Sequence, residues 1–311
     1  MTKIPELHTG STRNRKGYLS PIEDFQIPFG IVEGVQYGPT LLITAGVHGS
    51  ELCSIEAALR LMNIDGHQLT RTLFVLPVMN FHGFRARSIY VNPQDGKSLN
   101  RQFPGNPLGT ASERLVHWPS GIFPKCDAYL DLHGGNLDEE LKPYTIFNED
   151  SEASKQLAVA FGLETVVAAS GTRRVSSSYA TRLGIPAITA EAVCNGLVSE
   201  DKVSLHYDGV MRVMAYLGML QSPALPLAVP ERRFVKLSVP IASAEGLWYP
   251  RHRVSAHIAI NDILDEVRGI FGEVLVTVTA EVSGEVLYRL PSLWVNSGEQ
   301  LMGVAYMVPS M

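Results

Sequence analysis

The chain has 311 residues, 45% of them hydrophobic and 18% charged, with a formal net charge of −5. That balance fits a globular protein with a sizeable core, and without a Lys/Arg run to grip phosphates it excludes a general nucleic-acid binder. No stretch reaches the roughly 18 uninterrupted apolar residues of a membrane span, and MTKIPELHTGSTRNRKGYL contains no apolar signal core.

In chain order, the first clear strand is predicted at 40–47 (TLLITAGV), a short apolar run bounded by turn residues. A helix is expected over 50–63, with Leu52, Ile55, Ala58, Leu59 and Met62 at helical spacing and Ser50 as its N-cap. Strands follow at 72–79 and 128–132, so the order strand, helix, strand implies a βαβ unit and a largely parallel sheet. Between them, 80–127 is rich in Asn, Gly, Pro and Arg and weakly periodic. A loop of that length either carries function or conceals elements. Helices are expected at 151–162 and 199–219, and strands at ETVVAA (164–169) and PAITAEAV (186–193). QSPALPLAVPERR (221–233) reads as a proline-rich linker. It divides residues 1–222, an α/β domain, from 223–311, a small all-β domain of short alternating runs such as RFVKLSVPI and GEVLYRLPSLWV. The three scattered cysteines, Cys53, Cys126 and Cys194, read as buried thiols of a reducing cytoplasm.

The chemistry concentrates at strand ends. In an open α/β sheet, ligands bind beyond the carboxyl ends of the strands. His48 follows the strand at 40–47, Glu51 opens the next helix, and His133 ends AYLDLHGG. Two His and one Glu form an established catalytic zinc set that keeps one position open. His-x-x-Glu alone is a weak signal, because a lone histidine after a strand usually serves structure. Flanking glycines and a second strand ending in DLHGG strengthen it. Asp131 projects to the same strand face as His133 and can accept its second ring N–H.

AGVHGSE, DGKSLNRQFPG, LDLHGG and ITAEA, in this order, resemble the succinylglutamate desuccinylase/aspartoacylase family of the zinc carboxypeptidase superfamily. The resemblance covers roughly residues 30–311, and DGKSLNRQFPG looks most similar to the bacterial N-acetyl-diaminobutyrate deacetylase type. It implies a mixed, mostly parallel sheet flanked by helices, followed by a small β domain that caps the site. It implies one Zn2+ per chain on His48, Glu51 and His133, with Glu191 as the acid–base that takes the proton of the attacking water. Asn100 and Arg101 match the pair that holds a substrate carboxylate, for which a planar guanidinium fork is suited. Arg87, with Arg85 as competitor, matches an arginine that polarises the scissile carbonyl. Tyr179 and Arg182, in YATR, resemble a substrate-contacting segment, and Asp95 is expected to orient the arginines. The function implied is removal of a small acyl group from an N-acyl amino acid or similar carboxylate by metal-activated water. The rivals are a carboxypeptidase acting on peptides and a non-catalytic metal-binding module. A cytoplasmic enzyme without nucleic-acid or membrane partners is expected, with a homodimer as the assembly the resemblance suggests.

Overall fold

The computed structural model describes residues 5–6, 9, 14–20, 25–36, 38–192, 195–221, 231–291 and 293–307. Cys194 and most of the proline-rich linker lie outside the described residues. An antiparallel pair, β1 (Asn14–Leu19) and β2 (Ile27–Val32), precedes the expected βαβ unit of β3 (Thr40–Ala45), α1 (Leu52–Leu61) and β4 (Thr72–Leu76). Residues 80–127 do conceal elements: α2 (Phe81–Ala86) and α3 (Ala111–Ser120), the latter opened by a Thr110–Glu113 capping box. There follow β5 (Ala128–His133), β6 (Glu140–Leu141), β7 (Tyr144–Asn148), α4 (Glu152–Phe161), β8 (Thr165–Ala169), α5 (Ser176–Arg182), β9 (Ala187–Glu191) and α6 (Glu200–Tyr216).

The strand run β4-β3-β5-β9 is parallel, and β7 then pairs antiparallel with β9. Both faces of this sheet are covered, which explains why its strands read as continuous apolar runs. Leu41, Ile43 and Ala45 of β3 point to one core, with Ala58 and Leu61 of α1, Phe161 of α4 and Val213 of α6. Leu42 points to the other, with Tyr129, Leu115 and Val116 of α3, and Ala180 of α5. Two details of α1 differ from expectation. Glu51 occupies the N-cap position, because the Ser50 hydroxyl is engaged in donating to Asn136 Oδ1 at 2.7 Å. Leu59 faces solvent, and Leu61 takes the core position between sheet and helices.

The C-terminal part comprises β10 (Arg233–Ser238), β11 (Gly246–Trp248), β12 (His257–Ile258), β13 (Ile263–Arg268), β14 (Val274–Thr279), β15 (Gly284–Arg289), β16 (Trp294–Val295) and β17 (Met302–Tyr306). It holds a separate antiparallel sheet, β14-β13-β11-β16, around the buried Trp248. It is also fused to the large sheet: β10 pairs in parallel with β8, β17, β15 and β12 continue outward, and β6 pairs with β15. Leu141, Tyr144, Val167, Val235, Leu287 and Tyr288 form a shared core at the seam. The large sheet therefore holds two parallel runs, β4-β3-β5-β9 and β7-β8-β10, joined antiparallel at β9-β7, with antiparallel strands at both ends. Among the described residues, no helix is long and apolar enough to cross a membrane.

Candidate metal centre

Three neighbouring parallel strands, β3, β5 and β9, end together, and their carboxyl ends carry the expected constellation. The chain leaves β3 through Gly46, in the left-handed region at φ 59°, and brings His48 and Glu51 back over the sheet edge. Gly49 allows this turn to lie against α2, since a Cβ there would sit 2.2 Å from the Phe84 nitrogen. His133 closes β5, and the register pairs it directly with Glu191 at the end of β9.

The donor atoms of His48, Glu51 and His133 lie within 4.8 Å of one another, and all three residues are buried. Glu51 Oε1 is 2.7 Å from His48 Nδ1, and Oε2 is 3.1 Å from His133 Nδ1. Oε2 is buried and accepts no hydrogen bond, which leaves an anionic oxygen beside the His133 imidazole. A buried acceptor without a donor is costly. A cation coordinated by Glu51 and the two Nδ1 atoms would satisfy it, so the donor set fits a divalent ion.

The outer ring nitrogens are held from behind. His133 Nε2 lies 3.0 Å from Asp131 Oδ2, and Asp131 in turn accepts from Thr44 Oγ1 at 2.6 Å and from the Ser176 hydroxyl. An Nε2–H pointing at Asp131 leaves Nδ1 as the lone-pair nitrogen. His48 Nε2 lies 3.3 Å from Ser98 Oγ, and its ring stacks on Tyr90 with centroids 4.4 Å apart. Burial pushes the His48 imidazole below its ordinary range against the pull of Glu51. Burial acts the same way on His133, but the Asp131 and Glu51 carboxylates override it and hold that ring well above the usual value. Desolvation raises the Glu191 carboxyl well above the carboxylate range; His133 opposes this, and the nearby Glu51, Glu139 and Asp131 charges reinforce it.

Beside this cluster lies a cavity of about 690 Å³, walled by Tyr90, Arg101, Asn136 and Glu139 on one side and by Tyr288 and Glu299 on the other. Asn100 and Arg101 part company here. Arg101 stands in the wall, its guanidinium 5.8 Å from the Tyr90 ring centre. Asn100 is turned inward, accepting from the Ser176 N–H at 2.9 Å with its amide nitrogen 3.5 Å from His133 Nε2.

Four expected site residues, and Arg85 as the competitor of one of them, are set elsewhere. Asp95 accepts from the Ser112 N–H and hydroxyl at 2.8 and 2.7 Å, so it ties its loop to the first turn of α3 instead of orienting an arginine. Arg87 is exposed at the end of α2 with a left-handed φ of 54°, and Arg85 is exposed two residues earlier. Tyr179 packs its ring on Phe123 in the core beneath the sheet, and Arg182 binds the Arg173 carbonyl at the surface. The physical reason is the direction of α5: its first residue, Ser176, reaches Asp131, and its later turns run away along the sheet. Tyr90, Ser98, Ser176, Asn136 and Glu139 join the site without a sequence signal. Only Thr44 was traceable, because the β3–β5 register sets it opposite Asp131.

Residues 37–217 match the succinylglutamate desuccinylase/aspartoacylase catalytic domain. The chain is 24% identical over 304 residues to an N-alpha-acetyl-L-2,4-diaminobutyric acid deacetylase of Halomonas elongata, a match covering 92% of this chain and 87% of the relative. Its fold is similar to the product-bound ectoine utilization protein EutE (DoeB) of Ruegeria pomeroyi, with TM-score 0.85, 23% identity and coverage of 99% and 98%. It is also similar to a succinylglutamate desuccinylase/aspartoacylase of Rhodobacter sphaeroides, with TM-score 0.84, 22% identity and 99% of each chain covered.

Proposed function

The chain belongs to the succinylglutamate desuccinylase/aspartoacylase family, and from that premise we propose that it is a zinc-dependent hydrolase that removes a small acyl group from an N-acyl amino acid. The observation that carries the reading is the buried cluster of His48, Glu51 and His133 donor atoms within 4.8 Å of one another, with one Glu51 oxygen left without a hydrogen bond, beside a cavity of small-molecule size. His48, Glu51 and His133 hold the ion, and two nitrogens with one carboxylate suit zinc. When bound, the ion supplies a Lewis acid that lowers the pKa of water and polarises the amide carbonyl.

The chain's own residues do the rest. Glu191, level with His133 in the strand register, takes a proton from the attacking water and passes it to the leaving amine. Its desolvated surroundings favour the protonated form needed for the second half of that transfer. Arg101 offers the substrate carboxylate a planar fork from the cavity wall, one of its nitrogens being held by the Asn100 carbonyl at 2.9 Å. Asp131 keeps His133 in position, and Asn100 anchors the start of α5 by accepting from the Ser176 N–H. We divide the chain into residues 1–222, which carry the chemistry, and 223–311, whose Tyr288 and Glu299 close the cavity and restrict it to small substrates. That closure favours a deacylase over a carboxypeptidase acting on peptides. We read the protein as a cytoplasmic enzyme; light scattering tests the homodimer expected from the resemblance.

The test is a screen of the zinc-loaded protein against N-acetyl, N-succinyl and N-formyl amino acids, following release of free amine. Turnover of at least one series is expected. Cleavage confined to C-terminal peptide bonds would overturn the reading.

A further inference from the structure

The two imidazoles of the candidate metal centre are held unequally. His133 has the buried Asp131 carboxylate 3.0 Å from its outer nitrogen. His48 has there, among the described residues, only the Ser98 hydroxyl at 3.3 Å. The torsion that turns an imidazole about its Cβ bond is broad, so one long hydrogen bond leaves the ring plane loosely defined. The face of the His48 ring is instead covered by Tyr90, with centroids 4.4 Å apart and the planes 24° from parallel. Arg101, exposed in the cavity wall, also leans on Tyr90, its guanidinium carbon 5.8 Å from the ring centre. One aromatic ring thus touches a candidate metal ligand and the cation that faces the cavity.

The loop before it is built to deliver that ring. Arg87 and Tyr90 both adopt left-handed backbone, with φ 54° and 62°, which is costly for residues that carry a side chain. Such strain persists only where the surroundings over-determine it. Here the Ser88 N–H donates to the Gly83 carbonyl at 2.9 Å, ahead of Tyr90. Behind it, the Val91 carbonyl accepts from the Ser88 hydroxyl at 2.6 Å and from the Asn80 amide at 3.3 Å. The buried Asn92 then donates its N–H to the Lys97 carbonyl at 2.9 Å. Pinned in this way, the two left-handed residues leave Arg87 in solvent and turn Tyr90 in against His48.

We propose that Tyr90 is a positioning residue whose ring sets the plane of His48 and the stance of Arg101 together, so that the metal and the substrate carboxylate are held at a fixed separation. The part played by Arg101 rests on the deacylase reading, whereas the part played by His48 rests on the metal cluster alone. The ring acts by contact. Phenylalanine therefore serves as well as tyrosine, and an aliphatic side chain offers neither a flat face to the imidazole nor a quadrupole to the guanidinium.

The experiment compares Tyr90→Phe, Tyr90→Leu and Tyr90→Gly. Glycine takes the left-handed turn at no steric cost, so it supplies a folded protein without the ring if the leucine variant does not fold. Zinc affinity, read by competition with a chelator, is expected to fall about two- to tenfold in the leucine and glycine variants, the range of one aromatic pair, and to stay at the parent value in Tyr90→Phe. With N-acetyl amino acids as probes on the zinc-saturated enzyme, KM is expected to rise about two- to fivefold in the same two variants while kcat holds, the range of an exposed cation–π contact. In the metal-free protein the His48 ring protons, assigned by their loss in His48→Ala, are expected to resonate upfield under the Tyr90 ring. They stay there in Tyr90→Phe and move downfield in the other two. If no N-acyl amino acid is hydrolysed, the deacylase reading fails, and the zinc affinities and His48 resonances still decide whether Tyr90 positions His48. Unchanged zinc affinity in a folded Tyr90→Gly variant, or a Tyr90→Phe variant that loses as much as Tyr90→Leu, overturns the proposal.

Discussion

Asp131→Asn removes one charge from behind His133 and changes almost nothing in shape. In the native arrangement the Asp131 carboxylate is fully buried, 3.0 Å from His133 Nε2, and held in place by Thr44 and Ser176. It fixes the proton on Nε2 and so leaves Nδ1 free towards Glu51. An asparagine in its place either accepts weakly from that N–H or turns its amide to donate. The second choice moves the ring proton to Nδ1, where the ion would bind. Loss of such an outer partner typically costs 10–100-fold in metal affinity, about 1.4–2.8 kcal/mol. Asp131→Ala would go further by also leaving the Ser176 hydroxyl without its acceptor, at about 1–3 kcal/mol for a group left unsatisfied in the core, whereas Thr44 keeps the Tyr129 hydroxyl at 2.5 Å. The assay is competition for zinc against a chelator of known affinity, with thermal unfolding of the metal-free proteins as control. Unchanged zinc affinity in a folded Asp131→Asn variant would refute the argument that this carboxylate sets the tautomer.

Glu191→Gln is expected to keep its zinc and lose roughly 10²–10⁴-fold in turnover, the usual cost of a lost proton transfer; near-normal kcat would hand that role to another carboxylate. Arg101→Ala removes the fork, so the parent enzyme's preference for an N-acyl amino acid over its amide, expected at about 10–150-fold in kcat/KM, largely disappears, and Arg101→Lys does not restore it. Asp95 is predicted to act on stability. Burial works to raise its carboxyl, but the Ser112 N–H and hydroxyl hold it below the ordinary range. A depressed carboxylate stabilises the fold above its unfolded value of about 3.9, and that contribution fades as pH falls through the folded value. Asp95→Asn therefore lowers stability by about 1 kcal/mol at pH 7, and the gap to the parent narrows near pH 3 in denaturant titrations.

The candidate metal centre was legible because it sits where the fold repeats itself. β3 and β5 announce themselves as short apolar runs that deliver His48 and His133 at their carboxyl ends, whereas Glu191, at the end of β9, was singled out through the family resemblance of ITAEA. The cavity beside it was not legible. Tyr90 reaches His48 only because its backbone adopts φ 62°, a left-handed conformation that nothing about a tyrosine foretells. Ser176 and Glu139 depend on how α5 and the turn after His133 pack in space. The helices within 80–127 were hidden by their shortness, although Thr110-x-x-Glu113 is a recognisable capping box. YATR misled through its direction: α5 touches the site with its first turn and carries Tyr179 and Arg182 away from it. The seam was unreadable for a topological reason, since the parallel pairing of β10 with β8 joins segments separated by more than 60 residues.

The most direct test of the metal-centre account is a titration of metal-free protein with zinc, following occupancy and release of amine from an N-acyl amino acid in the same samples. Activity is predicted to rise in proportion to bound zinc and level off at one equivalent per chain, and His48→Ala is predicted to gain neither. Full activity in the metal-free protein, or an active His48→Ala with undiminished zinc, would contradict it.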